Sequence, residues 1–314
     1  MKVKFWGVRG SIPSPLAPDQ VRSKIASVLQ RVRPENLADA ASRERFLATL
    51  PAYLFGTVGG NTTCLEVRLS DGSLIVIDGG SGLRELGVSL QRRADPVHEI
   101  PILFSHFHWD HLQGIPFFGP AWVKGNRIIF ASPDPRLERI IRAQMRPPYF
   151  PVTMEAMQAE LRFLHLRGGT VRLGGADISW MPMNHPGGSY AYKIVEGGRS
   201  MVFATDSEVT DQEIQGRVGN REFFERADLL ILDSQYTLEE SFSKFDFGHT
   251  SFTMAVNLAV EWQVRRLVLV HHEPRYDDRK VHGMLRRAQW HHEQLGAGGG
   301  LAIQSAQEGL ELTL

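Results

Sequence analysis

Residues 102–111 read Ile102-Leu103-Phe104-Ser105-His106-Phe107-His108-Trp109-Asp110-His111. An apolar run of strand type stops at a cluster of imidazoles and a carboxylate. Neutral imidazole and carboxylate suit a borderline cation such as zinc, and manganese accepts them too. One such cluster is compatible with an ordinary loop, but the same arrangement recurs along the chain. Ile75-Val76-Ile77 leads to Asp78, Val202-Phe203-Ala204 to Asp206, Leu230-Ile231-Leu232 to Asp233, and Val268-Leu269-Val270 to His271. His185 sits in the loop Asn184-His185-Pro186-Gly187-Gly188. Buried strands that all stop at His or Asp place these groups along one edge of a sheet structure, where ligands commonly bind.

Working outward, short runs rich in Val, Ile and Leu predict strands at 3–8, 63–69, 74–77, 100–104, 127–131, 177–182, 190–195, 200–204, 229–232, 267–270, 301–305 and 310–314. Asp71-Gly72 and Gly197-Gly198 are hairpin signals. Apolar spacing of three and four predicts helices at about 136–145, 153–161, 250–262 and 279–294. Strands early and late with helices between them point to an α/β protein, its sheets face to face and its helices outside. No linker-like stretch divides the chain, so a single domain over 1–314 is expected.

A segment at about 14–56 reads as a helical insertion. Asp19 is placed to cap a first helix with Val21, Ile25, Val28, Leu29 and Val32 on one face. Pro34 breaks it, and Leu37, Ala41, Leu47 and Leu50 continue in a second helix. The pair is read either as packing on the domain or as a lid or dimer contact.

Composition narrows the function. The 314 residues are 42% apolar, enough for a large core. Formal net charge is zero, so bulk charge suggests neither a nucleic-acid nor a membrane partner. The single cysteine, Cys64, excludes an internal disulfide framework and fits a reducing compartment. No signal-peptide core and no run of about 20 apolar residues is present. A cytoplasmic protein with no membrane contact is expected.

His106-x-His108-x-Asp110-His111, followed by His185, Asp206 and His271, resembles the signature of the metallo-β-lactamase superfamily. The likeness extends from the Ile77-Asp78-Gly79-Gly80 turn to the final strands and is nearest the phosphodiesterase branch, which includes ribonuclease Z and bacterial cyclic-nucleotide phosphodiesterases. An aspartate at the bridging position, His249-Thr250-Ser251 and Leu232-Asp233-Ser234-Gln235 carry that finer resemblance, as do Gly7-Val8-Arg9-Gly10-Ser11 and Gly59-Gly60-Asn61-Thr62. It implies an αββα sandwich of two mixed β-sheets with helices on the outer faces. It also implies two divalent ions, zinc or manganese, one held by His106, His108 and His185 and the other by Asp110, His111 and His271. Asp206 would bridge them. Ions about 3.5–4 Å apart share a water, lower its pKa and direct the resulting hydroxide at phosphorus. Asp110, His249 and Asp233 would be the catalytic groups, with His249 donating to the phosphate or departing oxygen and Asp233 orienting it. Choosing His271 over His272 rests on this resemblance alone.

Asp233 and Asp78 are equally open to reading as turn or capping residues, and His249 as a cap of the helix near Thr250. Trp109 and Phe107 are read as packing beneath the metal loop. The favoured substrate is a small phosphodiester, a cyclic nucleotide or related cyclic phosphate, because no long Gly-rich arm follows Leu112. Tyr149, in Arg146-Pro147-Pro148-Tyr149-Phe150-Pro151, is a candidate for stacking on a base, alongside His249 as a substrate contact. RNA is the alternative substrate, in a ribonuclease Z-like endonuclease. Thioester hydrolysis is a weaker rival, and a non-catalytic metal-supported binding module is the reading from another class. The resemblance also implies a homodimer.

Overall fold

The computed structural model describes residues 1–209, 218–296 and 300–314. Its strands form two seven-stranded sheets among the described residues. The first runs β14 (Glu311–Thr313), β1 (Lys2–Gly7), β2 (Cys64–Arg68), β3 (Leu74–Ile77), β4 (Glu99–Leu103), β5 (Arg127–Ser132), β6 (Glu160–His165). The second runs β13 (Ala302–Ser305), β12 (Arg266–Val270), β11 (Leu229–Asp233), β10 (Arg199–Ala204), β9 (Ser189–Glu196), β8 (Ala176–Met183), β7 (Thr170–Leu173). Both are mixed. Parallel pairing joins β3 to β4, β5 and β6, and β10 to β11, β12 and β13, while the remaining neighbours are antiparallel.

Strand alternation makes three apolar layers. Ile75, Ile77, Leu103, Ile178, Tyr192, Phe203, Ile231 and Val268 fill the space between the sheets. The opposite face of the first sheet, Leu74, Val76, Ile102 and Phe130, packs on α4 (Gly82–Gln91) and α5 (Leu137–Gln144). Val202, Leu230, Leu232 and Leu267 do the same on α8 (Phe252–Glu261) and α9 (Asp278–Gln294). α6 (Val218–Phe224) and α7 (Leu238–Ser243) precede and follow β11. The result is the αββα sandwich expected. Because the central parallel strands are buried on both faces, they read as unbroken apolar runs. No described helix is long and apolar enough to cross a membrane.

Three local expectations are corrected. Residues 153–161 are a 3₁₀ turn, Met154–Ala156, running into β6 rather than a helix. Glu160 to Phe163 alternates exposed and half-buried positions beside β5, and this pairing overrides the spacing of Met154, Met157 and Leu161. The β6 and β7 strands were not anticipated. Asp19 does not cap the first helix: α1 (Pro18–Leu29) begins with Pro18, and Gln20 Oε1 accepts from Ala17 N instead. A 3₁₀ turn (Pro34–Leu37), α2 (Ala40–Thr49) and α3 (Ala52–Phe55) follow, and none of α1, α2 or α3 contains a buried residue.

Candidate metal centre

The C-terminal ends of β3, β4, β10, β11 and β12 meet along one edge of the sandwich. The backbone bends sharply there. Asp78, Asp206 and His271 have φ of 62°, 48° and 64°. This left-handed conformation costs a residue with a Cβ about 1–2 kcal/mol, so the surrounding packing must impose it.

The bends gather the expected residues. Asp206 Oδ1 lies 3.7 Å from His106 Nε2, 3.9 Å from His185 Nε2 and 3.2 Å from His271 Nε2, and its Oδ2 lies 3.1 Å from His111 Nε2. Asp110 Oδ2 is 3.2 Å from His111 Nε2 and 3.3 Å from His271 Nε2. His108 turns the other nitrogen inward, with Nδ1 3.2 Å from His185 Nε2. Donor atoms of His106, His108 and His185 form one set, and those of Asp110, His111, Asp206 and His271 another, each within 4.8 Å.

Partners behind the rings fix which nitrogen faces inward. His111 Nδ1 donates to Asp78 (2.9 Å), His185 Nδ1 to Gly248 O (2.9 Å) and His271 Nδ1 to Gln235 Oε1 (3.1 Å). His106 Nδ1 meets Ser105 Oγ at 3.1 Å, and Ser105 donates in turn to Asp78 Oδ2 at 2.8 Å. Asp78 therefore stands behind the ring of donors rather than within it. His249 Nδ1 lies 2.7 Å from Asp233 Oδ2, with its ring 5.2 Å from that of His185 and 4.9 Å from that of His271.

Charge is concentrated here. Burial opposes ionisation of Asp206, yet His271, His111 and His106 hold its pKa well below the ordinary carboxylate range. Burial likewise works against protonated His271, but Asp206, with Asp110 and Asp233, carries it up to about 9. His106 goes the other way, pushed down by burial and by His111. His106 Nε2 and His111 Nε2 are buried without an aligned hydrogen-bond partner. Buried polar atoms are rarely left so, and a cation accepting their lone pairs would satisfy both.

Beside His106 and His108 opens a cavity of about 190 Å³, lined also by Phe107, Asp134, Arg136, Ile140 and Tyr190. Arg136 forks onto Asp134 at 2.6–3.0 Å. Tyr149 stands 71% exposed after α5 and does not line this cavity. Trp109, expected to pack beneath the loop, is 80% exposed, because the 3₁₀ turn Trp109–His111 points it outward while Asp110 and His111 turn in. Phe107 does pack, against the core beside Phe104. Arg136, Tyr190 and Gln235 were given no role from the sequence. Gln235, two residues after Asp233, had a usable signal; Arg136 and Tyr190 come together only through the pairing of the sheets.

Comparisons with known proteins follow the same lines. Over 79 residues the chain is 38% identical to ribonuclease Z of Prochlorococcus marinus (strain NATL1A), covering 25% of this chain and 23% of that protein, so the match spans about a quarter of that relative's length. The fold superposes on the metallo-beta-lactamase fold protein YhfI from Bacillus subtilis with a TM-score of 0.65 at 19% identity, covering 99% and 98% of the two chains. A diphosphatase from the PhnP family superposes equally well, with a TM-score of 0.65 at 17% identity and coverage of 100% and 97%. The sequence profile described as Beta-lactamase superfamily domain matches residues 74–272, the span that carries the clustered His and Asp residues, and the chain belongs to the metallo-β-lactamase superfamily.

Proposed function

We propose that this chain is a dinuclear metal-dependent phosphodiesterase acting on a small phosphodiester, with a cyclic nucleotide or related cyclic phosphate as its substrate. The observation that carries this reading is the His249–Asp233 pair beside the clustered donors. A hydrolase whose leaving group is an alkoxide needs a proton donor next to its nucleophile, and a carboxylate-backed imidazole is suited to that task.

The donor set fits divalent cations, since imidazoles and carboxylates converge on two buried Nε2 atoms that have no aligned hydrogen-bond partner. His106, His108 and His185 would hold one ion, Asp110, His111 and His271 the second, and Asp206 both. When bound, zinc or manganese ions supply a water of lowered pKa and positive charge facing the phosphoryl oxygens. The protein's own groups do the rest. Asp78, Gln235, Ser105 and the Gly248 carbonyl hold the imidazoles in their inward tautomers. Asp233 keeps His249 oriented, and His249 passes its proton to the departing oxygen. Arg136 and Tyr190 line the cavity on the His108 side and are placed to contact the remainder of the substrate, with Tyr149 a more distant stacking candidate.

A second reading is favoured by the 79-residue likeness to ribonuclease Z: endonucleolytic cleavage of RNA. Purified protein with manganese or zinc, incubated with a panel of cyclic nucleotides and a labelled tRNA precursor, separates the two. Cleavage of RNA alone removes the first. We read the chain as one hydrolase domain with the insertion at about 14–56. The exposed apolar stripe Val21, Ile25 and Leu29 on α1 supports a homodimer, for which light scattering of Ile25→Glu is the test.

A further inference from the structure

Asp278, the first residue of α9, is 1% exposed and receives donors from several distant places. Val58 N donates to it at 3.0 Å and Thr57 Oγ1 at 3.1 Å, and Arg9 Nη2 stands 3.9 Å away. The ammonium of Lys24, on α1 of the insertion, pairs with its other oxygen. Arg9 is itself buried, with Nε donating to Gly59 O (2.9 Å) and Nη1 to Tyr276 O (2.7 Å) and Glu273 O (3.2 Å).

The next two residues lie against the centre. Gly10 packs so closely on His271 that a Cβ would fall 2.3 Å from its imidazole, and Gly10 N donates to His272 O at 3.1 Å. Ser11 N donates to Asp110 Oδ2 at 2.8 Å from a backbone with φ of 61°. Residues 9–11 thus form a strap touching His271 and Asp110, two of the four residues assigned above to one ion. No such contact reaches His106, His108 or His185 from this segment among the described residues.

We infer that Lys24 is a positioning residue for the Asp110–His271 half of the centre, acting through Asp278, Arg9 and Ser11; this rests on the assignment of those two residues to one ion. A buried carboxylate that loses a charged partner must draw on those remaining. Without Lys24, Asp278 competes for the Arg9 guanidinium, whose hydrogen bonds to Gly59, Glu273 and Tyr276 hold the strap in place. The insertion buries no residue of α1, α2 or α3, and this ion pair ties it to the sandwich together with Tyr53, whose ring lies 5.4 Å from that of His282 on α9.

The test uses the full chain as wild type, Lys24→Met, Lys24→Arg and the milder Thr57→Val. Metal-free protein is titrated with zinc against a chromophoric chelator, and amide hydrogen exchange is followed over residues 9–13. Lys24→Met should keep its capacity for two ions, with one affinity about tenfold weaker, the lower end for partners behind a ligand, and the other within about twofold. Thr57→Val should shift the same affinity by less, Lys24→Arg should regain it, and residues 9–13 should exchange faster in Lys24→Met. Equal losses at both ions, or wild-type affinities in folded Lys24→Met and Thr57→Val, would overturn the inference. A chain that takes up no zinc refutes the metal assignment instead, and unchanged exchange over 9–13 then overturns the coupling by itself.

Discussion

The Nδ1 of His249 lies 2.7 Å from the Asp233 carboxylate, which also accepts from Ser207 N at 3.2 Å and Gln235 N at 3.0 Å. A carboxylate anchored by two backbone N–H groups cannot swing with the ring, so His249 is held in one tautomer. His249→Ala should lower kcat on a diester with an alkoxide leaving group by about 10²–10⁴-fold. Bis-p-nitrophenyl phosphate, whose leaving group needs no proton, should suffer far less. Steady-state rates on both substrates, with zinc content measured in parallel, check this. Equal losses on the two would deny His249 its role as donor.

Removing the ions should stop hydrolysis while leaving the fold in place, because the three apolar layers do not depend on the centre. At ion concentrations about 100 times the dissociation constant, binding stabilises the native state by about 3 kcal/mol. A chelator should therefore lower the thermal midpoint, and zinc or manganese should restore both midpoint and rate. His108→Ala should bind one ion less tightly. Undiminished activity in exhaustively chelated protein would be incompatible with the proposed chemistry.

Gly10→Ala should be far worse than a methyl group suggests. The new Cβ would meet the buried ring of His271 at 2.3 Å, too close for a real contact, so the strap or the ring must shift. We expect about 1–3 kcal/mol of destabilisation and loss of one zinc equivalent, read by chemical unfolding and metal analysis. A variant with full metal content and normal stability would show that the close packing has no consequence.

His272 gives a pH dependence with a definite sign. Burial, reinforced by Arg9, depresses its pKa from 6.5 to about 4 although its ring bonds Ala306 O at 2.9 Å. A depressed pKa means that stability is fully present above 6.5 and is lost as pH falls towards 4. At pH 5 the loss amounts to about 2 kcal/mol, from roughly 1.5 units at 1.36 kcal/mol each. Urea unfolding of wild type and His272→Gln at pH 7.5 and pH 5 should show the gap between them narrowing by about that amount.

Tyr190→Phe and Tyr149→Ala separate two views of the substrate. Tyr190 lines the cavity beside His108, whereas Tyr149 stands exposed and away from it. Loss of the Tyr190 hydroxyl should raise KM for a cyclic nucleotide several-fold, on the order of one hydrogen bond. A Michaelis constant left unchanged by Tyr149→Ala would dismiss base stacking at that position.

Much of the sandwich was legible because its central strands are buried on both faces and each stops at a polar residue. Ile75-Val76-Ile77 before Asp78 and Val268-Leu269-Val270 before His271 announce both the strand and the edge. What escaped was set by neighbours. β6 is an edge strand with weak alternation, hidden inside a window that also satisfies helical spacing. Trp109 reads as a core residue by type, and only the 3₁₀ turn shows it facing outward. Arg136 and Tyr190 share a cavity across two sheets, which local sequence does not encode. The gathering of His106, His108, Asp110, His111, His185, Asp206 and His271 was anticipated by the spacing and the family resemblance together.

The left-handed backbone at Asp78, Asp206 and His271 has a further consequence. Each bend follows closely on a strand buried on both faces, so the packing of the apolar layers holds the backbone in this conformation without calling on a cation. Small zinc domains do the opposite, coiling around their metal and collapsing when it leaves. Here the protein stripped of metal is expected to keep its ligands on a folded frame, so that ions would be captured with little rearrangement of the backbone.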